Sequence, residues 1–272
     1  MHKFNLRQRE NIWWGEFAHL STAGFVNGCS CRLHGDSKIV PGSLNLALHV
    51  GDDREMVLRN RDKFARALDV DAARFTTCAQ VHGSRVQLVD ASLVGSGATD
   101  YAKTIAATDA LITRLPGVPL LLFYADCVPI LLADPVRKVI GVAHAGWRGT
   151  VAGIAAATVA KMQEWCGCAP GNILAGIGPS IGGCCYEVDD VVRSRALAYQ
   201  EFFQPRGGGK YLLNLQGINR QQLSAVGLKA DNIVDAGVCT ADNKELFFSY
   251  RQEQGHTGRM GTCLCIPSGS RL

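Results

Sequence analysis

Apolar runs of strand length dominate the middle of the chain. Residues 128–133 and 139–143 are almost entirely apolar, and the link between them is short, charged and contains Pro135. Such runs predict buried strands and such a link predicts a turn, so the two runs are expected to pair as an antiparallel hairpin. Further strand or strand-and-loop segments are predicted at residues 17–32, 42–50, 75–89, 108–113, 119–124, 173–177, 233–238, 246–250 and 261–266.

Four other segments are predicted to be helices. Residues 54–67 carry apolar or small side chains at helical spacing, and Asp52 and Asp53 stand where a helix N-cap is expected. The alanine-rich segment 151–165, which follows Gly149, also predicts a helix, because alanine has the highest helix propensity. The two remaining predicted helices span residues 188–199 and 218–226.

The order of these elements indicates the fold class. Strands that follow one another directly, mixed with a few helices, favour an α+β or mixed α/β fold over a regular βαβ repeat. No low-complexity linker interrupts residues 1–272, which are therefore expected to form a single domain. The glycine-rich segment 176–183 contains Pro179, and its spacing fits neither a dinucleotide-binding loop nor a P-loop.

Composition and charge exclude several classes of function. Of the 272 residues, 47% are hydrophobic and 19% are charged, and the net charge of +4 is spread along the chain. No cluster of Lys and Arg follows the pattern of a nucleic-acid-binding surface. The N-terminal residues lack the apolar core of a signal peptide, and the longest apolar stretch, residues 118–133, is too short to span a bilayer. We expect a cytoplasmic protein with no nucleic-acid or membrane partner and leave its oligomeric state open.

The eleven cysteines are expected to be reduced, because disulfides are rare in the cytoplasm. Several occur in C-x-C pairs, which lack the spacing of common structural zinc sites. We interpret these paired cysteines as small buried side chains. The pairs are Cys29 and Cys31, Cys166 and Cys168, and Cys263 and Cys265.

Cys127 differs because of its position relative to the predicted hairpin. It directly precedes the first apolar run, and His144 directly follows the second. In an antiparallel hairpin the start of one strand lies beside the end of the next, so the two side chains are expected to be neighbours. A cysteine and a histidine that converge in this way suit either a metal site or a nucleophile–base pair.

Three further residues extend this hypothesis. Asp126 would orient a ligating histidine or act as a general base, unless it is only a turn residue. Arg148 precedes the predicted helix at 151–165, whose N-terminus would favour an anion, although a structural salt bridge is an equal alternative. His82 would complete the three-ligand set of a catalytic zinc site. The spacing of the residues does not place His82 near the other two.

Seven motifs in order resemble those of the YfiH laccase-domain family. The two strongest are ADCVPILL and VAHAGWRG, which contain Cys127 and His144. One departure is HGDS at residues 34–37, where the family more often has a Gly-Gly-Val-Ser run. The other matches are SLNLALHVGDD at 43–53, QVHGSRV at 80–86, IGPSIGGCCYEV at 177–188, ELFFSYR at 245–251 and TGRMG at 257–261.

The resemblance implies a layered sandwich of mixed β-sheets covered by helices, related to toxin-type cysteine hydrolases. It also implies a zinc site formed by His82, Cys127 and His144. The implied activities are phosphorolysis of adenosine, inosine, guanosine or methylthioadenosine, and hydrolytic deamination of adenosine. For these reactions we assign catalytic roles to Cys127, His144 and Asp126, and contacts with nucleoside and phosphate to Asn45 and Arg148. Asn45 has a structural alternative as a turn residue.

Three other functions compete with this reading. Family members are also named polyphenol oxidases, so copper is the alternative ion. A laccase, however, needs about ten His and Cys ligands in imidazole-rich copper sites, and this chain has seven His and no H-x-H pair. A Cys127–His144 hydrolase that edits a peptidoglycan precursor would need no metal. A non-enzymatic binding module is the third alternative.

Overall fold

Two β-sheets packed face to face form the centre of the molecule, and helices cover the outer face of each. This arrangement is seen in a computed structural model that describes residues 4–269. One apolar cluster fills the space between the two sheets. Each sheet has a further apolar cluster on its outer face, between the sheet and the helices that cover it. The layered α+β sandwich expected from the sequence is therefore confirmed.

The first sheet has five strands, in the order β1-β2-β3-β14-β6, and every neighbouring pair is antiparallel. Its strands are β1 (Phe4–Arg9), β2 (Ile12–Phe17), β3 (Val26–Ser30), β6 (Leu120–Tyr124) and β14 (Met260–Cys265). The first two strands form a hairpin that the sequence pattern did not predict.

The second sheet has six strands, in the order β13-β9-β7-β8-β5-β4. The outer pairs β13–β9 and β4–β5 are parallel, and the inner pairs are antiparallel. Its strands are β4 (Val86–Leu88), β5 (Ala110–Thr113), β7 (Val128–Asp134), β8 (Val139–Ala145), β9 (Leu174–Ile177) and β13 (Ile233–Asp235).

A small third sheet, in the order β10-β12-β11, packs beside the second. Its strands are β10 (Glu187–Asp189), β11 (Phe203–Gly207) and β12 (Lys210–Leu213). The helices are α1 (Ala18–Thr22), α2 (Arg54–Leu68), α3 (Trp147–Val151), α4 (Ile154–Cys166), α5 (Asp190–Arg195) and α6 (Leu215–Ala225). Helix α2 covers the first sheet, while α4 and α6 cover the second.

The predicted hairpin is confirmed and explains the continuous apolar runs. Strands β7 and β8 pair antiparallel, and every residue of both is buried. Ile130 packs toward α4 and α6, whereas its neighbour Leu131 packs between the two sheets. Because both faces of this sheet are covered, its strands show no alternation of apolar and polar residues.

The predicted helices are present with altered bounds. Helix α2 begins where predicted, because the Asp53 carboxylate accepts hydrogen bonds from the N–H groups of Glu55 and Met56. The helix predicted at 151–165 is two helices, α3 and α4. They are separated at Gly153, whose φ of +79° breaks the helical path.

Two predicted strands are absent; of the strand predicted at 75–89 only Val86–Leu88 forms, and the helix Ala18–Thr22 lies in the segment predicted as strand and loop. Residues 42–50 form turns and extended backbone without a strand partner, since the N–H of Leu44 bonds to Arg32 and that of Leu46 to Arg259. Residues 246–250 form turns that begin at Asn243, whose carbonyl accepts from the N–H groups of Leu246 and Phe247. In both segments buried leucine or phenylalanine side chains imitate a strand pattern without a ladder of hydrogen bonds.

No helix within residues 4–269 is long and apolar enough to cross a membrane. The single domain expected for residues 1–272 stays a prediction, and its first three and last three residues lie outside the described part of the chain.

Candidate metal centre and substrate pocket

Strand directions in the second sheet bring the site residues to one edge. Strand β8 ends at this edge, and its neighbours β7 and β5 begin there because both are antiparallel to it. Strand β4 also begins there, because it is parallel to β5. The residues just before or at these strand ends are His82, Asp109, Cys127 and His144.

His82, Cys127 and His144 form a compact cluster. Their ligand atoms all lie within 4.8 Å of one another, and the two imidazole rings have centroids 4.8 Å apart at a steep angle. His144 is buried, Cys127 is half-buried and His82 is exposed. The structure therefore brings together the three residues that the family resemblance assigned to one site.

Asp109 joins the two histidines, although the sequence analysis did not identify it. Its carboxylate is fully buried and lies 2.9 Å from Nδ1 of His144. The same carboxylate accepts hydrogen bonds from the backbone N–H groups of Val81, His82 and Gly83. This carboxylate fixes the His144 ring and the His82 turn together, leaving Nε2 of His144 to face Cys127.

The charges in this cluster favour an ionised thiol. Burial opposes ionisation of Cys127, but the charge of His144 and hydrogen bonds with His144 and His82 outweigh it and lower the thiol pKa to about 6. Burial likewise opposes protonation of His144, but Cys127 and Asp109 raise its pKa to about 9. Cys127 is thus a thiolate at neutral pH, the form that binds metals and attacks electrophiles.

The backbone around the cluster leaves room for an ion. Gly146 has ordinary helical-entry angles, but a Cβ at this position would lie 2.7 Å from Cδ2 of His82 and 2.9 Å from Sγ of Cys127. His82 and Asp126 both have positive φ, at 61° and 82°. Such angles are strained for residues other than glycine, and they occur frequently at functional sites. The donor set and this space fit a zinc ion with three protein ligands and one open position.

The cluster lies at the base of a cavity of about 520 Å³, a size typical of small-molecule sites. Aromatic and cationic side chains surround it. The lining residues are His49, Gln80, His82, Phe123, Ala125, Asp126, Cys127, His144, Trp147, Arg148, Ile181, Tyr186, Leu215, Tyr250, Arg251 and Arg259.

Arg148 lines the cavity as expected, but its setting differs from the prediction. It lies inside the five-residue helix α3 and not before a long helix. The predicted contribution of a long helix dipole to anion binding is therefore wrong. Its guanidinium lies 4.2 Å from the centroid of the Trp147 ring, and it forms no ion pair within residues 4–269. The structure adds two further arginines to the same cavity, Arg251 and Arg259.

The expected contact between Asn45 and substrate is corrected by the structure. Asn45 is fully buried, and its amide group donates to the carbonyl of Ala47 and the carboxylate of Asp52. Its side-chain oxygen accepts from the N–H groups of Ala47 and Arg259. With every donor and acceptor occupied, Asn45 positions the backbone of Arg259 at the cavity wall.

Asp126 lines the cavity, but it does not orient a histidine, since Asp109 occupies that position. One carboxylate oxygen accepts from the hydroxyl of Thr240 at 2.7 Å, and the other accepts from the N–H of Arg251 at 2.7 Å. Its backbone carbonyl accepts from the N–H of Ile181. Asp126 therefore connects three loops that surround the cavity.

His49 is an exposed residue that also lines the cavity. Its ring packs against Tyr101 and Phe123. Partial burial by these neighbours, together with the charge of Arg259, lowers the pKa of His49 to about 4, so it is a neutral hydrogen-bonding group.

Comparison with known proteins places residues 26–267 within the model of the family described as multi-copper polyphenol oxidoreductase laccase. Purine nucleoside phosphorylase YlmD of Geobacillus stearothermophilus is 43% identical over 93% of this chain and 94% of its own length. Adenosine deaminase RL5 from an unknown prokaryotic organism is 35% identical over 84% of this chain and 88% of its own. The crystal structure of the hypothetical protein YfiH of Bacillus licheniformis aligns with a TM-score of 0.92, at 35% identity, over 98% of this chain and 100% of its own.

Proposed function

The chain belongs to the multi-copper polyphenol oxidoreductase laccase family, and we propose that it is a zinc-dependent enzyme acting on purine nucleosides. Relatives named purine nucleoside phosphorylase and adenosine deaminase support this choice of substrate. We propose two reactions: phosphorolysis of adenosine, inosine, guanosine or methylthioadenosine, and hydrolytic deamination of adenosine. The observation that carries the proposal is the convergence of His82, Cys127 and His144 at the base of a cavity lined by arginines.

The three donors would hold the zinc ion. A zinc ion with three protein ligands and one open position acts as a Lewis acid and supplies a hydroxide nucleophile at neutral pH. Asp109 keeps the His144 ring in the orientation that presents Nε2. Asp126 lines the same cavity, and we propose that it accepts a proton from the substrate or from water.

The cavity walls suit the two halves of a phosphorolysis reaction. Arg148, Arg251 and Arg259 provide positive charge for inorganic phosphate, which arginine binds with paired hydrogen bonds. Trp147 and the exposed Tyr250 offer aromatic surfaces for a purine base. A phosphate held by the arginines would attack the anomeric carbon of the ribose while the base departs.

A metal-free thiol hydrolase is the second candidate, because one observation favours it. Cys127, His144 and Asp109 form the arrangement of a nucleophile, a base and an orienting carboxylate, with the Cys127 pKa lowered to about 6. Such an enzyme would cleave a peptidoglycan precursor through an acyl-thiol intermediate. It would have no need for the side chain of His82.

Copper oxidase chemistry fits the potential metal-ligating side chains less well. The described residues contain two groups of three or more potential ligands close together, and one of these has no histidine. A multicopper site uses about ten His and Cys ligands. Copper in place of zinc at the three-residue cluster is an outcome that metal analysis would identify.

The test combines metal analysis with product analysis. The purified chain should contain zinc, form adenine from adenosine only when phosphate is present, and form inosine without it. The variant His82→Gln should lose both products together with the zinc of this cluster. A His82→Gln variant that keeps both activities without metal would reject the zinc enzyme, and cleavage of a peptidoglycan precursor by this variant would favour the thiol hydrolase.

His34→Gln is a matched control, because His34 lies outside both the cavity lining and the ligand cluster. It should leave zinc content and both activities unchanged.

We further propose that the enzyme works in the cytoplasm. All eleven cysteines, which lie in the described part of the chain, are free thiols. A reducing compartment maintains thiols in that state. Purine nucleosides and phosphate are the proposed partners.

A further inference from the structure

A second group of metal-binding side chains lies outside the cavity. Cys184 and Cys185 belong to the loop before β10, and Cys239 and Asp242 belong to the loop after β13. The three sulfur atoms and a carboxylate oxygen of Asp242 all lie within 4.8 Å of one another. The two loops meet through backbone hydrogen bonds between Ser180 and its neighbours Val238 and Thr240.

From this donor set we propose that Cys184, Cys185, Cys239 and Asp242 form a structural site for a zinc ion. Three thiolates and one carboxylate supply the four ligands of a closed tetrahedral site, and thiolates select zinc over magnesium or calcium. Cys184 and Asp242 are exposed, which gives the ion a route from solvent. The site is independent of the zinc proposed in the cavity, because it shares none of its ligands.

Hydrogen bonds hold the four donor groups against one another. The thiols of Cys184 and Cys185 each donate to one oxygen of Asp242, with Sγ–O distances of 3.1 and 3.0 Å, and a bound zinc ion would replace these protons. The backbone N–H of Gly182 donates to Sγ of Cys239 at 3.2 Å, an interaction that stabilises negative charge on sulfur. A Cβ on Gly182 would lie 2.9 Å from Sγ of Cys184, so this close approach requires glycine.

This position gives the ion a structural role at the cavity. The loop that carries Cys184 also contributes Ile181 and Tyr186 to the cavity lining. The loop that carries Cys239 contributes Thr240, whose hydroxyl bonds to Asp126 next to Cys127. An ion that joins the two loops would fix both walls relative to the base of the cavity.

Elemental analysis of the reduced, zinc-equilibrated chain tests the site. We expect about two zinc ions in the wild type, about one in Cys127→Ala and none in the double variant Cys127→Ala with Cys239→Ser. Cobalt titration of Cys127→Ala should give a thiolate-to-metal charge-transfer band, which the double variant should lose. Cys127→Ala combined with Cys166→Ser is the control and should retain the ion and the band, because Cys166 lies outside both clusters.

The outcomes separate the two sites. One ion retained by Cys127→Ala and lost on Cys239→Ser supports this site even if the wild type binds no second ion in the cavity. A Cys127→Ala chain that is folded by circular dichroism but binds no zinc or cobalt would overturn it. A mass lower by two hydrogens, showing a disulfide among these cysteines under reducing conditions, would also overturn it.

Discussion

Asp109 illustrates how a single buried carboxylate organises the candidate centre. It receives three backbone N–H groups from the His82 turn and faces Nδ1 of His144. A buried carboxylate is stable only when its oxygens are hydrogen-bonded, and here all its partners belong to the candidate ligand cluster or to its supporting turn. Asp109 therefore sets the geometry of the two histidines without being a candidate ligand itself.

We predict that Asp109→Asn weakens zinc binding at the cavity site by about 10- to 100-fold, because the amide cannot accept from all four donors. Competition with a chelator in the Cys239→Ser background measures this site alone. Asp134→Asn is the matched control, since Asp134 is also fully buried and accepts two backbone N–H groups, but in the β7–β8 turn. Equal affinities in the two variants would contradict the assigned role of Asp109.

Zinc affinity of the cavity site should rise with pH. The proposed zinc ion would bind the thiolate of Cys127 and the neutral ring of His144, whose pKa values without metal are about 6 and about 9. Between these values binding expels the His144 proton, so affinity should increase about tenfold per pH unit and level off above about pH 9. Below about pH 6 protonation of Cys127 should make the dependence steeper. A constant affinity between about pH 6.5 and 8.5 would contradict this.

At the residue scale, the sequence predicted the convergence of Cys127 and His144 better than the surroundings of this pair. The proximity of Cys127 and His144 followed from one local hairpin. The position of Asp109 depends on the pairing of β5 with β8, and that of His82 on the pairing of β4 with β5, and no local pattern reveals either. Asn45 was misassigned because a polar residue in a sequence motif looks the same whether it contacts substrate or forms all its hydrogen bonds inside the protein.

At the element scale, the junction between β8 and α3 determines the space for the ion. The strand ends directly after His144, and the helix begins at Trp147, so Gly146 lies against both His82 and Cys127. Helix α3 is in turn held by α6, because the side chain of Gln222 donates to the carbonyl of Thr150. The junction can therefore relax little around an added side chain.

We predict that Gly146→Ala folds but loses most of the zinc of the cavity site. Its backbone angles suit alanine, so the effect is the steric displacement of two ligands and not backbone strain. Zinc content and circular dichroism together measure this. Gly171→Ala is the control, since a Cβ there meets its nearest neighbour at an ordinary 3.5 Å. Normal zinc content in Gly146→Ala would refute the steric argument.

The elements themselves were predictable where a local rule applies. Helix α2 combines apolar periodicity with a capping aspartate, and both signals lie within its own sequence. The third sheet was missed because its strands are short and largely exposed, with residues such as Pro205 and Gly207 that favour turns. Its strands are held in place because Val188 and Leu213 pack into the apolar cluster between the second sheet and its helices.

At the scale of the whole molecule, the two central sheets and the helices on their outer faces hold separate chain segments in one rigid arrangement. The cavity residues extend from His49 to Arg259, yet most follow or precede strands of the two central sheets. Buried apolar side chains on both faces of the second sheet restrict movement of the ligand edge. A preformed site of this kind binds its ion without a large ordering cost.

We predict that zinc raises the thermal stability of the chain. A ligand at about 100 times its Kd stabilises the folded state by about 2.7 kcal/mol, which corresponds to a Tm increase of roughly 5 to 10 °C for a chain of this size. Differential scanning calorimetry with Cys239→Ser isolates the cavity site. Adding Cys127→Ala to that variant should abolish the increase; an undiminished increase would place the stabilising ion elsewhere.

The contrast among the cysteines has a practical consequence for covalent chemistry. Burial raises the pKa of Cys29, Cys31, Cys168 and Cys265 to about 12, whereas that of Cys127 is about 6. At neutral pH the thiolate fraction of Cys127 is therefore roughly 10⁵-fold greater than that of these four. An electrophilic label of nucleoside size should modify Cys127 selectively over them, and a coordinated ion would shield it. The rate of labelling would then report how many molecules in a preparation carry their metal.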